Sequence, residues 1–483
     1  MKDFIGRKAE LKELSGYMES GHSEFIAIYG RRRVGKTCLI RTAAQDSFAF
    51  FVTGIYGASK PEQLTNFAIA LQKYSGSGQL SVPKNWILAF YGLAKYMETL
   101  PEGRKIIFID ELPWMDTAKS GFIPALENFW NTWAVMRDDI KLIVCGSATS
   151  WMINNLIRNK GGLHNRLTHH MVLEPFMLNE CEEFFKKNGF SYSRRQIAEC
   201  YMIMGGIPYY LSMLDRSESL SQNIDRLFFS RNAPLKDEFN DLYKALFKNA
   251  EPHMEIVRCL ASKGMGMTRN EIVKASGLSD NGALSTALEE LENCGFIRLY
   301  EPFGRMKSAD SKRLGKYVLF QLTDFYTLFY YKFILGNHYH DEHFWSASVN
   351  SPLHGTWCGL SFEILCLTHL KQIKASLGIS GVQTAACSWR SRDPENGAQI
   401  DLLIDRKDDT VNLCEMKYSG REFVIDKAYE ANLQNKIDSF MSETGTRKSI
   451  ILTMVTTEGV RQNNHSGIVQ KEIVLNDLFR AQD

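Results

Sequence analysis

Residues 25–39 read FIAIYGRRRVGKTCL, and they decide the fold of the first part of the chain. The apolar residues before Gly30 predict a buried strand, residues 30–37 fit G-x-x-x-x-G-K-[ST], and the residues from Cys38 onward open a helix. A chance Gly/Lys turn would not need this strand–loop–helix order, whereas a phosphate-binding loop requires it. The stretch therefore predicts a nucleoside-triphosphate site.

Each part of the loop has an expected task. Gly30 and Gly35 permit backbone angles that turn amide hydrogens toward the phosphates. Lys36 would reach the β and γ phosphates, and Thr37 would hold Mg²⁺ through its hydroxyl. The three arginines of the loop add positive charge near phosphate. The expected nucleotide contacts are Gly30, Arg31, Arg32, Arg33, Val34, Gly35, Lys36, Thr37 and Cys38.

The amino-acid composition is that of a globular protein with several domains. With 483 residues, 44% hydrophobic and 23% charged, the chain is expected to form about three domains with ordinary cores. The net charge of +2 means that any nucleic-acid partner must meet a local basic surface. Ten cysteines without a C-x-x-C pair predict reduced core residues. Neither a signal-peptide core nor an apolar run of membrane-spanning length occurs, so we expect a soluble, cytoplasmic protein.

Residues 105–112, KIIFIDEL, are the next signal. An apolar run followed by Asp110 and Glu111 matches a Walker B strand, with Asp110 at the carboxyl end of the strand near the Mg²⁺. Glu111 is then placed to polarise the attacking water as a general base. An ordinary buried strand ending in an acidic turn is the alternative, and the preceding phosphate loop favours the Walker B interpretation.

Two later assignments each have two alternatives: the residue that senses the γ-phosphate and the role of Arg166. The stretch 141–150, KLIVCGSATS, predicts a strand after which either Ser147 or Thr149 senses the γ-phosphate. Arg166 either acts in trans as an arginine finger on the nucleotide of a neighbouring copy or positions a loop. The finger requires a homo-oligomer.

Six segments then carry a resemblance to a known family. FIGRKAEL, YGRRRVGKT, FIDELPWM, CGSATSWM, NRLTHHMVLEPF and MGGIPYYL occur in order between about residues 4 and 211. In this the chain resembles an archaeal-type P-loop ATPase family related to AAA+ and STAND proteins. The resemblance implies ATP and Mg²⁺ as ligands and a helical lid that contains Gly205, Gly206 and Pro208. It also implies that Phe4, Ile5, Gly6 and Arg7 lie near the adenine.

The patterns divide the chain into an α/β P-loop NTPase domain with a helical lid, a winged-helix domain and a C-terminal α/β restriction-endonuclease-like domain. Helix caps at Thr268 and Ser279, and glycine stops at Gly264, Gly277 and Gly295, define the three helices of the winged helix. The expected domains are the ATPase core (1–177), the lid (178–248), the winged helix-like domain (249–320), an aromatic-rich connecting helix (321–350) and a PD-(D/E)xK nuclease-like domain (351–483).

The charge of the winged helix is unusual for a DNA reader. Its third helix contains no Lys or Arg between Ser279 and Ile297 but carries Glu289, Glu290 and Glu292, which disfavours insertion into a groove lined by phosphates. The wing instead supplies basic residues that could hold phosphates without reading sequence. The module therefore docks either on the DNA backbone or on its own ATPase. These wing residues are Arg305, Lys307, Lys312, Arg313 and Lys316.

Residues 325–333, FYTLFYYKF, are dense in aromatics and predict a packed connecting helix rather than a stacking platform for single strands.

The last stretch has a second set of chemically active residues. Glu363 lies on a helical pattern, Asp401 opens a strand, and Glu415 and Lys417 share one face of the next strand. Two adjacent carboxylates are unfavourable unless a divalent cation lies between them, so Asp401 and Glu415 are candidate Mg²⁺ ligands. Lys417 would position the attacking water or stabilise charge. This set resembles the PD-(D/E)xK nuclease fold, a usual companion of the ATPase family.

Two functions of different classes follow. In the first, ATP turnover controls a metal-dependent nuclease domain that acts on DNA. In the second, the protein is a nucleotide-operated switch or binding module whose nuclease-like domain does not cleave. Both require ATP binding, and they differ only at the C-terminal site.

Overall fold

The computed structural model describes residues 4–481 except 160, 164, 265, 302, 304–317, 338–340, 350 and 392–396. The chain divides into two compact units. The first consists of Met1–Pro175 with Ala245–Lys248, and the second of Phe176–Lys244 with Asn249–Asp483. The five domains expected from the sequence stay predictions. Among the described residues, no helix has both the length and the apolar character needed to cross a membrane.

The first unit is an α/β structure. Its elements are α1 (Lys8–Glu19), β1 (Glu24–Tyr29), α2 (Lys36–Ala43), β2 (Phe50–Thr53), α3 (Lys60–Ser75), α4 (Trp86–Thr99), β3 (Lys105–Asp110), α5 (Leu112–Met115), α6 (Phe122–Thr132), β4 (Ile140–Gly146), α7 (Thr149–Met152) and β5 (His169–Val172), with a 3₁₀ turn at Ala134–Met136 and a π turn at Ile153–Ile157.

The five strands of this unit form one parallel sheet in the order β2-β3-β4-β1-β5. Every residue of β1, β3 and β4 is buried, as expected for central strands covered by helices on both faces. The predicted α/β fold is therefore confirmed for this unit, and its sheet is parallel. The two edge strands, β2 and β5, are short, with four residues each.

The second unit begins with helices. They are α8 (Leu178–Lys187), α9 (Arg194–Met204), α10 (Pro208–Leu211), α11 (Leu220–Ile224) with a π turn at Asp225–Phe229, and α12 (Glu238–Leu246). Next come α13 (Glu251–Lys263), β6 (Met267–Thr268), α14 (Arg269–Ser276), α15 (Gly282–Asn293), β7 (Ile297–Tyr300) and β8 (Leu319–Leu322).

The rest of the second unit contains a five-stranded mixed sheet. The elements are α16 (Phe325–Phe329) with a π turn at Tyr330–Ile334, α17 (Phe344–Ser348), α18 (Pro352–Thr368), α19 (Leu370–Ser376), β9 (Thr384–Arg390), β10 (Gln399–Arg406), β11 (Thr410–Lys417), α20 (Lys427–Thr444), β12 (Ser449–Thr456), β13 (Lys471–Val474), and 3₁₀ turns at Ser466–Ile468 and Leu475–Phe479. The strand order is β13-β12-β11-β10-β9. The pairs β9–β10 and β10–β11 are antiparallel, and β11–β12 and β12–β13 are parallel.

Helices α13, α14 and α15 lie beside a three-stranded antiparallel sheet of order β6-β8-β7. Thr268 caps α14 as predicted, but the predicted cap Ser279 is wrong. Asn281 caps α15 instead, because its side-chain oxygen accepts a hydrogen bond from the Leu284 amide at 3.2 Å. The five basic wing residues, Arg305, Lys307, Lys312, Arg313 and Lys316, lie outside the described residues.

The aromatic stretch 325–333 is packed in the protein interior, as predicted. Tyr326, Phe329 and Phe333 are fully buried, so their rings are not available as a stacking surface. The stretch is not one continuous connecting helix, however. The α-helix ends at Phe329 and continues as the π turn at Tyr330–Ile334.

The Gly-Gly-x-Pro sequence after α9 ends one helix and begins the next. Gly205 and Gly206 both have positive φ, and Pro208 opens α10. A Cβ on Gly206 would lie 2.3 Å from the carbonyl oxygen of Phe176, whose amide donates to Gly206 at 2.8 Å. Only glycine allows these two backbone segments to lie so close.

We expect Gly206→Ala to destabilise the chain by about 3 kcal/mol or more, since the added methyl must displace backbone. Gly277→Ala is the matched control, because Gly277 has a similar φ of 70° but nothing within 4 Å of the added Cβ. The control should cost only about 1 kcal/mol of backbone strain. Thermal unfolding followed by circular dichroism measures both, and equal losses of Tm would contradict the close approach.

Candidate functional site

The phosphate loop joins β1 to α2 through backbone angles that few residues adopt. Gly30 has φ of 140°, Arg33 of 70° and Gly35 of 97°. A Cβ on Gly30 would lie 2.3 Å from the carbonyl oxygen of Leu173, so no other residue fits there. Arg33 holds a left-handed conformation at a cost of about 1 kcal/mol. The loop is therefore fixed around the amino end of α2, where helix amides favour phosphate.

Lys36 lies across this loop. Its Nζ donates to the carbonyl oxygens of Gly30 at 2.8 Å and Arg31 at 3.0 Å, and the residue is almost fully buried. Arg31 and Val34 are also buried. Arg32 and Arg33 are partly exposed, and Cys38 is exposed with a free thiol. The predicted loop residues are thus together, with one ammonium group at their centre.

Asp110 ends β3 and is held by three donors. The Thr37 hydroxyl donates to its Oδ2 at 3.0 Å, while the Cys145 thiol and the Glu111 amide donate to Oδ1 at 2.5 and 3.0 Å. Adjacent ligands of an octahedral Mg²⁺ with bonds of about 2.1 Å lie about 3 Å apart. The hydroxyl of Thr37 and the carboxylate of Asp110 therefore fit as neighbouring ligands of one magnesium ion.

Glu111 adopts a left-handed conformation with φ of 47°, and its carboxylate turns toward β4. The Ser147 hydroxyl lies 2.8 Å from Oε2 and 3.0 Å from Oε1, and the Ser147 amide donates to Oε2 at 3.0 Å. Thr149 instead donates to the carbonyl of Ser147 at 3.4 Å. Of the two candidate sensors, the structure therefore brings only Ser147 to Glu111.

The residues expected near the adenine are linked to the phosphate loop through Arg7. Phe4 and Ile5 are partly buried, and Gly6 has φ of 64°. Arg7 is buried, forms an ion pair with Glu10 at 3.4 Å and donates to the carbonyl of Val34 at 3.4 Å.

Arg166 is exposed, and its amide donates to the Leu163 carbonyl at 3.1 Å in a turn. The adenine contacts of residues 4–7 and the finger role of Arg166 both stay predictions.

The second predicted site lies at the middle of the mixed sheet, in the second unit. Glu415 on β11 is almost fully buried, and Lys417 Nζ lies 3.1 Å from its Oε1. The same carboxylate accepts from the Tyr429 hydroxyl and from Lys436 Nζ, each at 2.7 Å. Asp401 on the neighbouring strand β10 accepts from Gln399 at 2.7 Å.

The carboxyl groups of this site have different electrostatic environments. Burial acts to raise the pKa of Glu415, but the ammonium groups of Lys436 and Lys417 outweigh it and lower that pKa. Burial and the charge of Glu415 raise the pKa of Asp401 despite the hydrogen bond from Gln399. Burial and the charge of Asp401 raise the pKa of Glu363 to about 8. Glu363, Asp401, Glu415 and Lys417 therefore form one electrostatic cluster, and their catalytic and metal-binding roles stay predictions.

An open pocket of about 570 Å³ exposes three members of this cluster, Asp401, Glu415 and Lys417. Sequence reasoning missed Tyr429 and Lys436, which line it from α20. Their separation of seven residues places them on one helix face, which was the available signal. The lining residues are Gly397, Gln399, Asp401, Glu415, Lys417, Asp426, Ala428, Tyr429, Asn432 and Lys436.

The fit of a metal ion differs between the two sites. Within the described part of the chain, no group of three or more His, Cys, Asp or Glu side chains is placed to hold a metal. Mg²⁺ needs only one or two carboxylates when waters and phosphates complete its shell, and the Asp401–Glu415 pair meets that minimum. However, Lys417, Lys436 and Tyr429 already bind both oxygens of Glu415, so a cation there must compete with them.

Residues 4–214 match the model of a family described as an ATPase domain predominantly from Archaea. The match includes the phosphate loop, Asp110, Glu111 and Ser147, and it ends within the helices that follow Gly206. The match supports an archaeal-type ATPase domain in this part of the chain, and with it ATP binding and hydrolysis. The match does not extend to the carboxylate cluster on β10, β11 and α18.

Individual relatives are distant. An uncharacterised protein of Methanocaldococcus jannaschii is 26% identical over 339 residues, which is 69% of this chain and 69% of that protein. A Walker-type ATPase of Pyrococcus abyssi is similar in structure with 16% identity and a TM-score of 0.49, covering 68% of this chain and 96% of that one. The ORC2 protein of Aeropyrum pernix has 13% identity and a TM-score of 0.41, covering 71% and 98%.

The raised pKa of Glu363 predicts a pH-dependent stability. Between its ordinary value of 4.5 and about 8, the folded chain keeps a proton that the unfolded chain releases. Glu363 therefore lowers the free energy of unfolding as pH rises through this window. Glu363→Gln removes this pH dependence. The Tm of the variant minus the Tm of wild type should therefore be larger at pH 8 than at pH 5, by about 3 °C or more.

Differential scanning calorimetry at pH 5 and pH 8 checks this, with the exposed Glu422→Gln as the matched control. A Tm difference between Glu363→Gln and wild type that is the same at both pH values would contradict the burial of the Glu363 carboxyl.

Proposed function

We propose that the protein is a Mg²⁺-dependent ATPase whose nucleotide turnover controls a metal-dependent, nuclease-like domain acting on DNA. The single observation that carries the ATPase part is the contact of Thr37 with Asp110 at 3.0 Å beside Glu111 and Ser147. These groups are the ones that hydrolysis of a nucleoside triphosphate requires, and they lie within the sequence that matches an ATPase family.

The proposed hydrolysis uses these side chains in fixed roles. Lys36 leaves the carbonyls of Gly30 and Arg31 to bind the β and γ phosphates. Glu111 accepts a proton from water as its oxygen bonds to the γ-phosphorus, and the bond to the β–γ bridging oxygen breaks, giving ADP and phosphate. Mg²⁺, held by Thr37 and Asp110, would supply positive charge to the phosphate oxygens. Ser147 orients Glu111, and residues 4–7 bind near the adenine.

The oligomeric part of the proposal concerns Arg166. An exposed arginine just before β5 is available to a second copy of the chain, where it would offset charge on the transferred phosphoryl group. The alternative role of Arg166, which the sequence analysis also gave, is to position a loop.

For the C-terminal part, the order α18-β9-β10-β11-α20-β12 supports a PD-(D/E)xK nuclease-like fold. Asp401 and Glu415 would hold the metal ion, whose positive charge would act on the scissile phosphate. Lys417 stabilises negative charge on that phosphate, while water adds to phosphorus and a phosphorus–oxygen bond of the DNA breaks. Glu363, whose raised pKa of about 8 keeps it protonated near neutral pH, is available to give its proton to the departing oxygen, and solvent takes the proton that the water loses.

The second candidate function is a nucleotide-operated switch with a non-cleaving C-terminal domain. The occupancy of both Glu415 oxygens by Lys417, Lys436 and Tyr429 favours it, because an intact ion-pair network can hold a fold without catalysing a reaction. The two functions share the ATPase and differ in whether this network opens to a metal.

The winged helix-like module supports contact with DNA only indirectly. Helices α13–α15 with the β6-β8-β7 sheet fit such a module, but Glu290 of the third helix binds His253 of α13 at 2.7 Å. Burial also raises the pKa of Glu292. This helix therefore suits internal packing, and we assign any DNA backbone contact to the basic wing, Arg305, Lys307, Lys312, Arg313 and Lys316. Docking on the ATPase is the alternative.

For the ATPase, we expect Lys36→Ala to abolish ATP hydrolysis and Glu111→Gln to keep ATP binding but lower turnover by about 10²–10⁴-fold. Lys12→Ala, an exposed lysine on α1, is the control. Phosphate release and fluorescent-nucleotide binding are measured on each variant. Wild-type turnover in either Lys36→Ala or Glu111→Gln would refute the assignment.

For the C-terminal site, we expect cleavage of supercoiled or linear DNA with Mg²⁺ or Mn²⁺ to be lost in Glu415→Ala and Lys417→Ala. Lys407→Ala, an exposed lysine in the turn before β11, should cleave like wild type. DNA cleavage by wild type and by the three variants is measured on agarose gels. Cleavage that persists in both site variants would remove the assigned site, and absence of cleavage in wild type would favour the switch.

A further inference from the structure

Three polar side chains meet just beyond the end of β11. The Tyr418 hydroxyl donates to Oε1 of Glu199, and Arg195 Nε lies 3.2 Å from the same oxygen and 3.1 Å from the Tyr418 oxygen. Arg195 and Glu199 are one turn apart on α9, whereas Tyr418 follows Lys417 directly in sequence. A closed ring of hydrogen bonds therefore joins α9 to Tyr418, the residue that follows β11.

The same arginine holds the next residues as well. Arg195 Nη1 donates to the Gly420 carbonyl at 3.4 Å, and its guanidinium lies 5.3 Å from the centre of the Tyr418 ring. On the opposite side, the Ser419 amide donates to the Thr457 hydroxyl at 2.9 Å. Residues 418–420 are thus held between α9 and the end of β12.

Tyr418 touches both segments that carry the carboxylate cluster. It is bonded to Lys417, whose Nζ lies 3.1 Å from Glu415. Its ring packs edge-on against Phe362 at 5.9 Å, and Phe362 directly precedes Glu363 on α18. Tyr418 is therefore the sequence neighbour of Lys417 and contacts the sequence neighbour of Glu363.

A second contact holds α18 to the same helices. His369 is fully buried at the end of α18, where its Nε2 accepts from the Leu178 amide at 3.1 Å and its Nδ1 lies 2.9 Å from the Leu365 carbonyl. Burial lowers the pKa of His369 to about 4, in keeping with one neutral tautomer. The Tyr201 ring of α9 lies 5.4 Å from the imidazole. Helices α8 and α9 thus fix the helix that carries Glu363.

We propose that Arg195 and Glu199 are positioning residues of the carboxylate cluster, holding through Tyr418 the end of β11 that carries Glu415 and Lys417. This inference rests on the proposed function of that cluster. Both residues lie within residues 4–214, which match the ATPase family model. Side chains of that matched sequence therefore help to hold the C-terminal site in place. Residues of this kind tune a metal site because they fix the groups that bind it.

The test compares Arg195→Ala and Tyr418→Phe with Glu199→Gln, which keeps an acceptor for the tyrosine. Arg194→Ala is the matched control, because Arg194 is the exposed neighbour on α9 and pairs with Glu182 instead. All are made in the full chain with Asp110→Asn, so that the phosphate loop does not bind the probe metal. Two quantities are measured: deuterium exchange of residues 415–420 without metal or nucleotide, and Mn²⁺ affinity by electron paramagnetic resonance.

We expect Arg195→Ala and Tyr418→Phe to speed exchange at 415–420 about tenfold and to weaken Mn²⁺ binding about tenfold. Glu199→Gln should stay near wild type, and Arg194→Ala should equal it. If Arg195→Ala and Tyr418→Phe resemble Arg194→Ala, or if exchange rises equally across the whole chain, the positioning role is overturned.

The failure of the nuclease proposal has a different signature. In that case Mn²⁺ binding would be absent, or unaffected by Glu415→Ala, while the exchange of residues 415–420 would still decide whether Arg195 and Glu199 hold the strand end.

Discussion

The position of β4 between β1 and β3 is the constraint on which the nucleotide site depends. Because these strands are parallel, Lys36 and Thr37, Asp110 and Glu111, and Ser147 all follow carboxyl ends at one edge of the sheet. The central strand also brings the Cys145 thiol to Asp110 and Ser147 to Glu111. These three strands are buried along their whole length, so the polar groups at this edge project from the packed core of the unit.

Much of this first site was predictable from sequence because its signals are local. The phosphate loop is eight consecutive residues, and Asp110 and Glu111 end an apolar run, so strand and turn chemistry fix them without tertiary information. The choice between Ser147 and Thr149 was not local. Both residues follow β4, and the conformation of the chain after that strand brings Ser147, and not Thr149, to Glu111.

The second site shows the limit of such reasoning. The spacing of Asp401, Glu415 and Lys417 predicted one cluster, because neighbouring strands carry them. Lys436 and Arg195 come from helices whose docking no short pattern encodes, yet one binds Glu415 and the other the residue after Lys417. The helix cap predicted at Ser279 was wrong for a similar reason: Ser279 and Asn281, two residues apart, are both good capping residues, and the residue at which the helix begins decides that Asn281 is the cap.

In the proposed function, the loop around Lys36 and the Asp110–Glu111 pair bind MgATP. A crystal structure with Mg²⁺ and a non-hydrolysable ATP analogue tests this binding mode. We expect Lys36 to leave the Gly30 and Arg31 carbonyls for the β and γ phosphates, with Mg²⁺ on the Thr37 hydroxyl beside Asp110. An analogue bound elsewhere, or a Lys36 that stays on the two carbonyls with the nucleotide present, would refute this binding mode.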